Sequence, residues 1–213
     1  GVSALAANIA LAAEPSAFWD DFRTLDGAYE LTVDPSCTID NGVITIGANG
    51  GMTIAYPTKN PFTVIAEMSD CPSGEATIFS GLFNNPTADA DLRLVSNGDV
   101  LKHVWTDLTT DYGSASDWDR ERHVVALAYQ SGETTYIDGT PKFSGGASSS
   151  RFQVVNIYVG MRKKANGTIS QVATGMKVYR LAIFEAKLSD AEVAEAVATY
   201  FSPKVSIQVS GDT

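Results

Sequence analysis

Most of the chain alternates between apolar and polar residues in steps of two, which is the period of a β-strand with one buried face. The predicted strands cover residues 43–46, 52–56, 62–68, 76–83, 91–95, 100–106, 123–129, 134–138, 154–160, 176–184 and 205–209. They are rich in β-branched and aromatic residues and are separated by Gly, Asn and Asp. The pattern predicts an all-β, antiparallel two-sheet sandwich rather than a series of βαβ units.

Five dipeptides between these strands have the composition of tight hairpin turns. Both central residues of such a turn need positive φ, which Gly and Asn adopt at low cost. We expect two-residue hairpins at Asn41-Gly42, Asn49-Gly50, Asn97-Gly98, Asp138-Gly139 and Asn166-Gly167.

One segment near the C-terminus breaks the alternation and predicts a short helix. Ser189 can cap its start, and Glu192 three residues later completes a capping box. Leu188 can pack against Val193 as a hydrophobic staple. The apolar face consists of Val193, Val197, Tyr200 and Phe201. We expect this amphipathic helix to cover the open end of the sandwich.

The 213 residues are 44% hydrophobic and 19% charged, with a formal net charge of −10. This is a globular composition, and a β sandwich of this length forms one domain, here residues 17–213. The negative charge argues against nucleic acid as a partner. No apolar run reaches the roughly 20 residues that span a bilayer, so we expect no membrane insertion. A basic cluster, Arg162 with Lys163 and Lys164, is interpreted as a solvated strand edge.

Two features leave alternatives open. Residues 1–16 form an apolar segment, interpreted as a short helix on the domain, as the remnant of a leader, or as a docking extension for a protein partner. Cys37 and Cys71 are too few for a disulfide scaffold or a four-cysteine zinc site. They either pair with each other or remain two separate thiols.

Several elements occur in an order that resembles a known family. Trp118 is followed by residues 123–129 (HVVALAY), 136–139 (YIDG), 158–160 (YVG) and a strand-to-helix segment at 181–193. This order is similar to that of the laminin-G-like jelly rolls in the concanavalin A-like lectin and glucanase superfamily. Four residues separate Trp118 from His123, where the family has almost none. The resemblance implies a jelly-roll fold, and members serve as lectins, adhesion modules, virion appendages or glycosidases.

Catalytic patterns are weak in this sequence. The retaining glycanases of that superfamily carry Glu-x-Asp-x-x-Glu on one strand, and none of the nine Glu residues here has Asp two positions later. Asp117, Asp119 and Glu121 alternate along the chain, but we interpret them as a polar loop. Only two His residues are present, and no Gly-x-Ser-x-Gly elbow accompanies them. We therefore expect a protein that is not an enzyme.

A carbohydrate site needs aromatic faces and polar groups together. Leu101, His103 and Trp105 share one face of a predicted strand, although a lone Trp in a strand is also typical of a core. The predicted ligand-binding residues are Arg93, His103, Trp105, Tyr112 and Trp118.

Calcium is the metal that the resemblance implies, because lectin-like sandwiches often hold it at a loop rim. Hard carboxylate oxygens suit Ca²⁺. The candidate ligands are Asp107, Asp111, Asp117 and Asp119, with a solvated acidic rim as the alternative. No other cofactor is indicated.

The leading hypothesis is a noncatalytic recognition module that binds a glycan or glycoprotein surface, in a secreted, cell-surface or virion-associated assembly. The alternatives are a structural or adhesion domain that contacts protein partners, and a glycoside hydrolase without the usual signature.

Overall fold

The computed structural model describes residues 12–57, 61–83, 91–105, 111–145 and 154–204. Its strands are β1 (Ala17–Trp19), β2 (Leu31–Val33), β3 (Thr38–Asp40), β4 (Val43–Thr45), β5 (Met52–Ile54), β6 (Phe62–Ser69), β7 (Ala76–Phe83), β8 (Asp91–Asn97), β9 (Val100–Trp105), β10 (Asp111–Ala115), β11 (His123–Tyr129), β12 (Glu133–Ile137), β13 (Thr140–Gly145), β14 (Val154–Val159), β15 (Arg162–Lys163), β16 (Ile169–Ser170) and β17 (Lys177–Phe184). One helix, α1, covers Asp190–Tyr200.

The strands form two large antiparallel sheets and one small hairpin, β15–β16. The eight-stranded sheet has the order β13-β12-β11-β6-β17-β4-β3, with β1 also paired to β17. The seven-stranded sheet has the order β10-β9-β8-β7-β14-β5-β2. Several neighbours in these sheets are far apart in sequence, as in the pairing of β6 with β17. The predicted all-β sandwich with a helix near the C-terminus is confirmed.

The main core lies between the two sheets, where alternate residues of each strand point inward. Val64 and Ala66 of β6 and Val125 of β11 belong to the same buried cluster as Ile54 and Ile157 of the other sheet. Fully burying a side chain of this kind contributes about 1.5–3 kcal/mol. This alternation is the period-two pattern of the sequence seen in three dimensions.

Helix α1 packs on the outer face of the eight-stranded sheet. Val193 and Ala196 are buried in a second cluster with Ile65, Ala126 and Ala182, which point away from the main core. The expectation that the helix covers the open end of the sandwich is therefore wrong. The physical reason is that the central strands are apolar on both faces: all eight residues of β6 are buried.

The helix begins at the predicted cap. The Ser189 hydroxyl accepts a hydrogen bond from the Glu192 amide at 3.3 Å, and the Glu192 carboxylate accepts one from the Ser189 amide at 3.2 Å. At the other end, Arg180 of β17 donates to the carbonyls of Tyr200 at 3.1 Å and Ser202 at 2.9 Å. A strand arginine thus satisfies carbonyls at the end of the helix, where a positive charge is favourable.

Two of the five predicted hairpin turns have the expected geometry. Asn41 and Gly42 have φ values of 49° and 76° between β3 and β4. Asp138 and Gly139 have φ values of 52° and 81° between β12 and β13. Asn166-Gly167 also joins two paired strands, β15 and β16, but within a longer connection.

The other two turn predictions are wrong in detail. Asn97 pairs with Val100 inside the ladder, so the two-residue turn is Gly98-Asp99. Asn49-Gly50 is not a hairpin turn, because β4 belongs to the eight-stranded sheet and β5 to the seven-stranded sheet. Here the Asn-Gly dipeptide lies in a connection that crosses from one sheet to the other.

The two cysteines are free. The Cys37 thiol lies 3.3 Å from the Gly50 carbonyl and 3.2 Å from the Gly47 amide, and Cys71 is buried in the main core. Burial raises the pKa of the Cys71 thiol to about 11, although a contact with Ser96 opposes this. Of the two interpretations, separate thiols agree with this structure.

The last predicted strand, residues 205–209, lies outside the described residues. The N-terminal segment does too, except for its residues 12–16. Among the described residues, no helix is long and apolar enough to cross a bilayer.

We predict that the unfolded, unreduced protein contains two reactive thiols. Titration with a chromogenic disulfide reagent in denaturant should give two equivalents per chain, with a reduced sample as control. A value near zero would contradict the arrangement of Cys37 and Cys71 described here.

We also predict that Ser189→Ala lowers the free energy of unfolding by about 1 kcal/mol, because it removes the N-cap acceptor. Urea unfolding monitored by circular dichroism measures the change. Ser189→Asp is the matched control, since it keeps an acceptor at the cap. Equal stabilities of the Ala and Asp variants would show that this cap contributes nothing.

Candidate functional site

The predicted ligand residue His103 lies between the two sheets. Its side chain is fully buried. Nε2 is 2.6 Å from the Thr135 hydroxyl, and Nδ1 is 3.0 Å from the Glu133 carboxylate, both on β12 of the opposite sheet. His103 therefore joins the two layers from inside the sandwich and presents no exposed surface to a ligand.

Arg93 lies on the outer face of the seven-stranded sheet, away from the face that carries His103, and belongs to a buried polar network. It donates to the Gln171 side chain at 2.9 Å and lies 3.4 Å from the Asp91 carboxylate. Arg162 binds the same carboxylate with two bonds of 2.7 and 3.2 Å. The interpretation of Arg162 as part of a solvated edge is wrong, because its side chain is buried against Asp91.

Trp118 is part of the main core, with 1% of its surface exposed. Its indole Nε1 donates to the Ser96 hydroxyl at 2.8 Å, which fixes the segment before β11. The side chains of Trp105 and Tyr112 lie outside the described residues. The described members of the predicted sugar site thus do not form one exposed surface, and the prediction for Trp105 and Tyr112 remains a prediction.

Asp117 and Asp119 line a small cavity of about 330 Å³ together with His123, Asp138 and Lys142. The His123 ring lies between two carboxylates: Nε2 is 2.7 Å from Asp119 and Nδ1 is 2.7 Å from Asp138. Burial lowers the pKa of His123, but these two hydrogen bonds outweigh it, so the pKa is raised above its usual 6.5. The pKa of Asp119 is lowered by bonds from the Glu121 amide and from His123.

The described carboxylates of this cavity do not suit calcium. Asp117 is paired with Lys142 at 3.1 Å and Asp119 with His123, so each already faces a cationic or protonatable group. Within the described residues, no group of three or more metal-binding side chains could hold an ion. Asp107 and the side chain of Asp111 lie outside that part of the chain, so their role as calcium ligands remains a prediction.

We predict that His123 stabilises the protein at acidic pH. Because its folded pKa is raised, its contribution is fully present below the unfolded pKa of about 6.5 and is lost as pH rises through the folded value. His123→Gln should lower the free energy of unfolding more at pH 5.5 than at pH 9. Both carboxylates are largely exposed, so the difference should be below about 1 kcal/mol.

Urea titrations at the two pH values measure this difference. Asp119→Asn serves as the partial control, since it removes one of the two carboxylates and should give a smaller change of the same sign. An equal loss of stability at both pH values would contradict the assignment.

A larger cleft of about 560 Å³ lies on the outer face of the eight-stranded sheet, beside the C-terminal end of α1. We call it the Arg122 cleft. Its charged and aromatic lining includes Asp20, Arg23, Glu67, Arg122, Tyr179 and Lys204. These residues come from the segment after β1, from β6, from the position just before β11, from β17 and from the chain after α1.

The Glu67 carboxylate is the centre of this cleft. Its Oε1 accepts two hydrogen bonds from Arg122, from Nε at 2.9 Å and Nη2 at 2.7 Å. Its Oε2 accepts one from Nε of Arg180 at 2.6 Å. Glu67 is buried, so two charge-assisted partners are what keep an ionised carboxylate stable on this apolar strand.

Arg122 also stacks on an aromatic ring. Its guanidinium carbon lies 3.9 Å from the centre of the Tyr179 ring. The Tyr179 hydroxyl shares a 2.8 Å hydrogen bond with Ser69, which holds the ring in place. The guanidinium is therefore fixed by Glu67 and Tyr179 together, while the side chain remains 57% exposed.

The sequence patterns described above do not indicate this cleft. A signal exists in the single charged residue of the buried strand FTVIAEMS, since a buried Glu requires basic partners. The identity of those partners depends on the pairing of β6 with β11 and β17, which lie more than 50 and 100 residues further along. No local pattern specifies that pairing.

No protein-family model and no curated protein sequence matches this chain. Solved structures do resemble it. Trypanosoma rangeli sialidase aligns with a TM-score of 0.65 at 13% identity, over 87% of this chain and 33% of the sialidase. The receptor-binding domain of botulinum neurotoxin type G aligns with a TM-score of 0.61 at 13% identity, over 87% of this chain and 51% of that domain.

A third neighbour is the ligand-binding domain of botulinum neurotoxin serotype D, solved in complex with N-acetylneuraminic acid. It aligns with a TM-score of 0.60 at 12% identity, over 88% of this chain and 50% of that one. The chain thus spans about a third of the sialidase and about half of the toxin domains. At these identities the likeness establishes the fold alone, which is a β sandwich. It does not establish the laminin-G family.

Proposed function

We propose that this chain is a noncatalytic carbohydrate-recognition module that works within a secreted, cell-surface or virion-associated assembly. The observation that carries this proposal is the Arg122 cleft. Its volume of about 560 Å³ lies within the range of roughly 300–1,000 Å³ that ligand sites commonly have. Side-chain carboxylates, guanidinium groups, the Asn41 amide and the Tyr179 ring line it, and such groups suit the hydroxyls and the apolar faces of sugars.

Structural neighbours support the same class of ligand. The serotype D toxin domain was solved with N-acetylneuraminic acid, and the sialidase with sialic acid. Each of these two proteins is longer than this chain, which covers 33% of the sialidase and 50% of the toxin domain. They favour a glycan over other small molecules as the first ligand to test.

Two of the carboxylates that line the cavities favour binding over hydrolysis. A glycosidase needs a carboxylic acid whose pKa is raised so that it can donate a proton. In the Arg122 cleft, the hydrogen bond from the Arg23 amide lowers the pKa of Asp21. In the smaller cavity the pKa of Asp117 is lowered by its bond with Lys142. Both groups favour the ionised form, which is the wrong form for a general acid.

An adhesion domain is the second candidate, and one observation favours it. Strand β3 pairs only with β4, so its other edge is unpaired within the described residues. It carries Ile39, which is 45% exposed and is the exposed large hydrophobic residue of the described chain. An open edge with an apolar side chain is a surface to which a protein partner can add a strand.

We predict that the purified protein binds immobilised glycans and that Tyr179→Ala weakens this binding several-fold, because it removes the ring and the support of Arg122. A glycan array measures the binding. Tyr29→Ala is the control, since Tyr29 is a partly buried tyrosine packed on Tyr56 outside the cleft. Melting curves of both variants show whether they are folded.

Three outcomes distinguish the candidates. An array without binding, together with stable oligomers or capture of a protein partner through β3, would favour the adhesion domain. Release of free monosaccharide from the bound glycans would favour a hydrolase. Glycan binding with no release supports the recognition module.

A further inference from the structure

The charges of the Arg122 cleft do not balance. Its lining contains four basic residues, Arg23, Arg122, Arg180 and Lys204, and three acidic ones, Asp20, Asp21 and Glu67. Arg23 pairs with Asp21 at 2.7 Å, Lys204 with Asp20 at 3.1 Å, and Arg180 with Glu67 at 2.6 Å. Arg122 shares Glu67 with Arg180, at 2.7 Å, so the cleft has one positive charge more than it has negative charges. A net positive cleft on a protein of net charge −10 indicates an anionic ligand.

Arg122 has hydrogen-bonding capacity to spare. A guanidinium carries five N–H donors, and Glu67 uses one on Nε and one on Nη2. Within the described part of the chain, Nη1 donates to no other group. The edge formed by Nη1 and Nη2 is therefore available, on a side chain that is 57% exposed.

The same guanidinium is already held in position. The buried Glu67 fixes its inner edge and the Tyr179 ring lies under its face. A ligand that binds the outer edge consequently loses little free energy in ordering the side chain. Arg180 is not equivalent, because it donates to Glu67 and to the carbonyls of Tyr200 and Ser202.

We propose that the Arg122 cleft selects glycans that carry a carboxylate, and that Arg122 binds this carboxylate through its Nη1–Nη2 edge. The inference rests on the proposed carbohydrate-binding function. A planar carboxylate matches two parallel N–H donors of a guanidinium. One such group also supplies the single negative charge by which the three carboxylates of the cleft fall short of its four cations. The ligand class is thus an acidic sugar such as a sialic or uronic acid.

Calorimetric titration of the whole chain with sialyllactose, lactose and sulfated lactose tests the proposal. Sialyllactose should bind at least about tenfold more tightly than lactose, because a charge-assisted pair has about that effect on affinity. Arg122→Gln should reduce the affinity for sialyllactose to that for lactose. Arg122→Lys keeps the charge without the fork and should restore part of the preference. Lys163→Gln, the same loss of charge on β15, should have no effect.

The three sugars and the variants distinguish a failure of carboxylate selection from a failure of carbohydrate binding. Equal binding of lactose and sialyllactose, or a preference for the sulfated sugar, overturns carboxylate selection and leaves carbohydrate recognition standing. A preference that survives in Arg122→Gln overturns the role of Arg122. Absence of binding to all three sugars and to every glycan of the array overturns both. If Arg122→Gln does not fold, as judged by its melting curve, the Arg122→Lys result decides.

Discussion

The structure depends on one constraint: the central strands of the eight-stranded sheet are apolar on both faces. Val64 and Ala66 of β6 face the other sheet, while Ile65 between them faces outward. A sandwich alone buries only the inner set. Helix α1 covers the outer set and so forms part of the buried core. The cap at Ser189 matters because it starts the helix over this surface.

The Arg122 cleft follows from the same constraint. The cover provided by α1 ends near Phe201, beside the end of β6 that carries Glu67. A carboxylate there is partly removed from water and needs partners, which Arg180 and Arg122 supply. Arg180 also holds the end of the helix, so it serves the fold. Arg122 is the partner that the fold leaves exposed, which is why its charge remains available for a ligand.

The sequence predicted those features that depend on neighbouring residues. The alternation located most of the long strands, and the capping box located the start of α1 to the residue. The sequence does not show that the helix packs on the outer face of the eight-stranded sheet. Both faces of β6 are buried only because β11 and β17 flank it, and that pairing is not visible in the sequence. Asn49-Gly50 shows the same limit, since a turn dipeptide does not say which sheet the next strand joins. His103 lies on a predicted strand and Trp118 in a predicted loop, but both side chains are buried and not exposed to a ligand. Alternation separates the two faces of a strand, and it does not tell which face points inward in a two-layer structure.

Fold likeness and ligand chemistry are separate questions in this molecule. At 12–15% identity, the sialidase and toxin structures share the course of the backbone, which is fixed by paired strands and buried apolar residues. The Arg122 cleft is instead made of side chains from β6 and β17, from Arg122 just before β11, and from the segments around Asp20 and Lys204. Arg122 takes part in none of the described ladder pairings, and replacing it with a neutral residue would change the charge of the cleft. The ligand preference of a chain with this fold therefore depends on these side chains and not on the sandwich.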